Sequence, residues 1–153
     1  MDYVETDFTK NLMKVYFAQT ESALKISKII SKHSGEEEIS PDTFITGLVY
    51  RLMIPMNDKE LKESMDTAED LLKEGSSEEE EEENSSDEDD EEYTKIIKNE
   101  FPTKIKRNTC NCEICAKARA CLINYSTHDA NDPLAQIFKN AINHSLKMHK
   151  LII

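Results

Sequence analysis

The chain has 153 residues, a net charge of −12 and no tryptophan, with hydrophobic residues at 38% and only three glycines and four prolines. That length suits one domain or two small helical pieces, and so few turn-forming residues argue against a β-sandwich. The amino terminus, MDYVETDFTK, lacks the basic start and apolar run of a secretory signal, and apolar runs fall well short of the ~18 residues of a membrane span. A cytoplasmic or nuclear location without membrane association is expected, and in such a reducing compartment clustered cysteines suggest metal or thiol chemistry.

The first helix is expected from Phe8 to about Lys32. Phe8, Leu12, Val15, Tyr16, Ala23, Ile26 and Ile30 follow helical spacing, and Ser34-Gly35 supplies a stop. The second has the clearest start: Ser40 caps, Pro41 occupies the first turn and Asp42 faces the positive end of the dipole. It runs through Phe44, Ile45, Leu48, Val49 and Leu52 to a stop at Pro55, and its wide apolar face marks it as the central helix. Asn57 and Glu60 form a capping pair for a third helix carrying Leu61, Met65, Ala68 and Leu72. Residues 1–75 are therefore expected to form a three-helix unit, small enough to dimerise.

Residues 76–92, SSEEEEEENSSDEDDEE, contain twelve acids and no base. Self-repulsion and the lack of apolar groups predict a disordered acidic linker. Ser76, Ser77, Ser85 and Ser86 each have an acid three residues on, a pattern suited to phosphorylation by acidophilic kinases or simply to spacing charge.

Residues 93–153 reverse the sign, with a net +6 against −6 for residues 1–75. A short helix is expected before Pro102 and an extended approach to the cysteines after it. Beyond them, Ile114, Cys115, Ala118, Cys121, Leu122 and Tyr125 share a helical face, and Asp132-Pro133 opens a last helix with Leu134, Ile137, Phe138, Ala141, Ile142 and Leu146. The predicted class is mainly α: the three-helix unit, the linker, and a small, basic, Cys-rich helical unit stapled by zinc.

All four cysteines fall within residues 110–121 as C-x-C-x2-C-x5-C. An extended C-x-C points both thiols to one side, and a turn into a helix brings Cys115 back toward Cys110 and Cys112. Zn2+ takes four such donors in a tetrahedron. The fourth is open, because Cys121 lies about 120° around a helix from Cys115 and His128 is a credible substitute. His33, His144 and His149 rank below these as ligands. Buried structural thiols and thiol redox chemistry are the competing readings of the cluster.

No Gly-rich phosphate loop, H-E-x-x-H or G-x-S-x-G motif occurs, so no enzymatic activity is expected. The leading functional expectation is an adaptor or structural protein that binds protein partners. The alternative is a nucleic-acid-binding factor that places Lys95, Lys98, Lys104, Lys106, Arg107, Lys117 and Arg119 on phosphates. A thiol redox protein is third. The short cluster CNCEIC, the acid-serine tract and the Lys/Ile/Asn-rich composition together resemble small proteins of large cytoplasmic DNA viruses. That resemblance implies a virion or infected-cell cytoplasmic location and no particular activity.

Overall fold

The structure, a computed structural model, describes residues 2–75 and 101–153. The expected acidic linker, its four serines, the short helix before Pro102, and Lys95 and Lys98 lie outside these residues. Five α-helices make up most of the described chain: α1 (Asp2–His33), α2 (Pro41–Met53), α3 (Asp58–Gly75), α4 (Glu113–Asn124) and α5 (Pro133–Met148). A 3-10 turn at Tyr125–Thr127 follows α4, and two short strands, β1 (Thr103–Lys104) and β2 (Leu151–Ile152), pair in parallel.

Local signals set the helix ends as expected. The Thr43 N–H donates to Ser40 Oγ at 3.2 Å ahead of α2. At the start of α3, the Asn57 N–H donates to Glu60 Oε2 at 3.1 Å and the Glu60 N–H to Asn57 Oδ1 at 2.8 Å, a reciprocal capping box. Asp132 Oδ1 accepts the Ala135 N–H at 2.8 Å before α5.

The chain divides into two compact units along lines different from the expected 1–75 and 93–153. One contains residues up to Ser22 together with α3; the other contains Ala23–Pro55 and the carboxyl-terminal elements. The reason lies in α2, whose broad apolar face packs on α4 and α5. In the first unit the buried residues are small, Ala18 and Ser22 on α1 and Ser64 and Ala68 on α3, and Lys14 Nζ lies 3.4 Å from Glu69 Oε2.

In the second unit, Ile45 and Val49 of α2 meet Ile105, Cys121, Leu122, Tyr125, Phe138 and Ile142 in one apolar cluster. A second cluster gathers Ile26 and Ile30 of α1, Tyr50 of α2, and Cys115 and Ala118 of α4. Gly47 lets α2 approach α1 closely, since a Cβ there would sit 2.1 Å from Ser27 Oγ and 2.5 Å from the Ala23 carbonyl oxygen. The strand pair ties down the chain entering the cysteines: Thr103 N–H donates to Lys150 O and Ile105 N–H to Ile152 O, both at 2.8 Å. Asp42 Oδ2 takes the Lys106 N–H at 3.1 Å, holding the same segment to the start of α2.

Candidate metal centre

The site is assembled from two chain segments of the second unit. The first is the end of α1. Glu36 N–H donates to Ser31 O at 3.0 Å and Gly35 N–H to Lys32 O at 3.2 Å, with Gly35 at φ 72°. This is a Schellman stop, and it makes His33 the last residue of the helix. The second segment is the loop before α4. Cys112 stands at the N-cap of α4 with an extended backbone, and its sulfur accepts the Cys115 N–H at 3.4 Å. A thiolate thus fills the place usually taken by a Ser or Asp oxygen. One helical turn later Cys115 points inward and is fully buried.

The donor atoms of His33, Cys110, Cys112 and Cys115 all lie within 4.8 Å of one another. His33 Nδ1 is 3.2 Å from Cys112 Sγ, 3.4 Å from Cys110 Sγ and 3.5 Å from Cys115 Sγ. A single ring nitrogen has at most one proton to donate, so three simultaneous sulfur contacts exceed what hydrogen bonding explains. Metal–sulfur bonds near ~2.3 Å and metal–nitrogen bonds near ~2.0–2.1 Å in a tetrahedron require an N···S edge of about 3.5 Å. The observed separations are at or slightly below that edge. The four residues are close enough to hold a metal ion.

A supporting layer orients these donors. Asn108 Nδ2 donates to Cys115 Sγ at 3.0 Å. The Arg119 guanidinium in turn donates to Asn108 Oδ1 at 3.2 Å, to the Asn108 carbonyl at 3.1 Å and to the Cys110 carbonyl. Arg119 therefore ties the cysteine loop to α4.

The thiols differ in acidity. The Cys115 backbone N–H, with smaller help from side-chain hydrogen bonds, holds Cys112 at about 6 despite some desolvation. Burial pushes Cys115 up to about 11, with the Asn108 amide opposing and the neighbouring thiols reinforcing the rise. Burial also raises Cys121. Cys112 is thus a ready thiolate donor at neutral pH, whereas Cys115 keeps its proton there unless a cation displaces it.

The two candidates for fourth donor lie elsewhere. Cys121 is buried in the apolar cluster with Leu122 and Phe138, because the six-residue step from Cys115 turns it toward α5. His128 follows the 3-10 turn, where its carbonyl accepts from Lys139 Nζ. The residue that joins Cys110, Cys112 and Cys115 in the four-donor group is His33, which ranked below both in the sequence. The signal was weak: the Ser34-Gly35 stop marks His33 as a helix end, but 77 residues separate it from Cys110. His144 and His149 are on and just after α5 and do not belong to the four-donor group.

Among the cations expected to meet phosphates, Arg119 is committed to the loop, and Lys117 pairs with Glu113 Oε1 at 2.7 Å. Lys104, Lys106 and Arg107 have exposed side chains. A cavity of about 250 Å3 opens beside the cluster; Lys106, Arg107 and Arg119 line it against the single carboxylate of Glu36. Comparison of the chain with family models, with curated proteins and with solved structures found no match.

Proposed function

We propose that the second unit is a zinc-stapled binding module, in which one Zn2+ held by His33, Cys110, Cys112 and Cys115 joins the end of α1 to the loop before α4. The observation that carries this reading is the contact of one imidazole nitrogen with three sulfurs at tetrahedral edge lengths. Three soft thiolates and an imidazole favour zinc over the harder divalent ions, which take oxygen donors. Four protein donors fill a tetrahedron, the pattern of structural zinc sites, whereas catalytic sites keep a position for water.

On this reading the protein is a non-enzymatic adaptor. The positively lined cavity beside the staple suits an acidic side chain of a protein partner, since Lys106 and Arg107 reach it from a loop that the metal holds in place. Nucleic-acid binding through residues 93–153 is the weaker reading, because Arg119 and Lys117 already have protein partners.

Native mass spectrometry of the reduced chain tests the staple. One zinc per chain is expected, lost on treatment with a chelator and in His33→Ala and Cys112→Ser, but retained in Cys121→Ala and His128→Ala. A metal-free reduced protein, or loss of zinc only with the Cys121 or His128 variants, would overturn it.

A further inference from the structure

The three sulfurs gathered around His33 differ in their access to solvent. Cys110 and Cys112 are half-buried, whereas Cys115 is fully buried and packs with Ile26, Ile30, Tyr50 and Ala118. Cys121 belongs to the other apolar cluster. Despite that difference in exposure, the sulfurs of the group lie within 4.8 Å of one another. A small oxidant arriving from solvent therefore meets an accessible sulfur first, with a second one close behind it.

We infer that Cys112 and Cys115 are an oxidisable pair, which hydrogen peroxide converts to a disulfide with expulsion of the metal. The Cys112 sulfur attacks one peroxide oxygen and the O–O bond breaks; with one proton, the products are a sulfenic acid on Cys112 and water. The Cys115 sulfur then attacks the Cys112 sulfur. An S–S bond forms, the S–O bond breaks, and the departing hydroxide takes a proton to become a second water. In sum, two thiolates, one peroxide and two protons give one disulfide and two waters, and the sulfurs lose the two electrons that peroxide gains. A bridged pair no longer carries the negative charge that holds a divalent cation, so the metal is left with His33 and Cys110 alone and departs. The end of α1 is then free of the loop before α4. Zinc release rests on the staple proposed above; formation of the bridge does not.

The start of α4 selects the pair. Cys112 is the extended N-cap, at φ −65° and ψ 161°, and the Cys115 N–H points at its sulfur at 3.4 Å. Residues three apart on a helix have Cα atoms about 5 Å apart, inside the ~4.4–6.8 Å that a disulfide spans. Cys110 and Cys112 are only two apart, which in extended chain gives ~6.6 Å, at the outer limit of that range. The Cys112–Cys115 bridge also stays within the start of α4. It leaves undisturbed the loop that Arg119 holds through the Cys110 carbonyl.

Hydrogen peroxide added to the full, reduced, zinc-loaded chain at neutral pH tests the pair. Free thiols should fall from the four of the reduced chain to about two, with a mass loss of about 2 Da for the two thiol hydrogens. A zinc-binding dye should report release of the metal in step with thiol loss, and a thiol reductant with added zinc should restore both. Trypsin leaves Cys110, Cys112 and Cys115 on one peptide, residues 108–117. Tandem mass spectrometry of that peptide, after alkylation, should show Cys110 alkylated and a bridge from Cys112 to Cys115. Cys110→Ser and Cys121→Ser should keep the bridge, whereas Cys115→Ser should leave a sulfenic acid on Cys112 that dimedone traps. A bridge mapped to any other pair, oxidation to sulfinic acid without a bridge, or four free thiols after prolonged peroxide would each overturn the inference. A reduced chain that binds no zinc yet forms the Cys112–Cys115 bridge would overturn the staple and leave the oxidisable pair standing; zinc bound but indifferent to peroxide would do the reverse.

Discussion

At the scale of single residues, acidity and orientation govern the cluster. With Cys112 at about 6 and Cys115 at about 11, metal binding at pH 7–8 must displace the Cys115 proton, while Cys112 has already lost its own. Proton and metal compete for the same sulfur, so affinity rises with pH. The expected gain is at least tenfold per unit between pH 6 and 8, steepening below pH 6 where Cys112 also becomes protonated. Competition titration against a zinc-binding dye across this range measures it, and a flat profile would contradict the assigned donors. The supporting layer makes a separate prediction. Asn108→Ala removes the amide that holds Cys115 Sγ and should lower zinc affinity about 10- to 100-fold, as outer-shell substitutions do. Stoichiometry should stay at one zinc. Arg119→Ala should act in the same direction, because Arg119 holds Asn108 and the Cys110 carbonyl together; affinities equal to that of the unsubstituted protein would remove both from the site.

At the scale of elements, the contact of α1 with α2 depends on a missing side chain. Glycine inside a helix costs about 1 kcal/mol relative to alanine, yet Gly47 sits in the middle of α2. Its Cβ would strike Ser27 Oγ, which is itself hydrogen-bonded to the Ala23 carbonyl at 2.8 Å, and then that carbonyl as well. A backbone oxygen cannot rotate away. Gly47→Ala should therefore destabilise the protein by about 2 kcal/mol despite its better helix propensity. Urea unfolding gives the sign directly, and a stabilised variant would show that the two helices are free to separate. Ile142 on α5 is fully buried and should be costlier still when truncated. Ile142→Ala is expected to lose about 2–5 kcal/mol, the usual range for a large aliphatic side chain removed from a core.

For the whole molecule, the cluster closes a long stretch of chain, since His33 and Cys110 are 77 residues apart. A cross-link across a loop of this length restricts the unfolded chain by about 4 kcal/mol in the entropic account. Chelation should therefore lower the melting temperature of the zinc-loaded protein by roughly 10 °C. Differential scanning calorimetry with and without chelator tests this, and His33→Ala should melt at the chelated temperature in both conditions. A melting temperature indifferent to chelator would show that the site contributes nothing to the fold.

Local signals were sufficient for most helix ends, though α1 begins at Asp2 rather than Phe8 and the pairing of β1 with β2 had no local signal. Ser40-Pro41, Asn57 with Glu60, Ser34-Gly35 and Asp132-Pro133 act within a few residues, so the starts of α2, α3 and α5 and the end of α1 were legible in the chain. The convergence of Cys110, Cys112 and Cys115 was legible for the same reason, because C-x-C-x2-C needs only an extended pair and one helical turn to converge. Pairings between distant segments were not. The apolar stripe of α2 shows that it is buried, but an apolar stripe does not specify which helix covers it. Packing on α4 and α5 was decided by the summed fit of many non-directional contacts. The fourth member of the cluster is the sharpest case. Cys121 and His128 were nearer in sequence, yet helical twist turns Cys121 into the core, and only the docking of α1 through Ile26 and Ile30 against Tyr50 and Cys115 brings His33 to the three sulfurs.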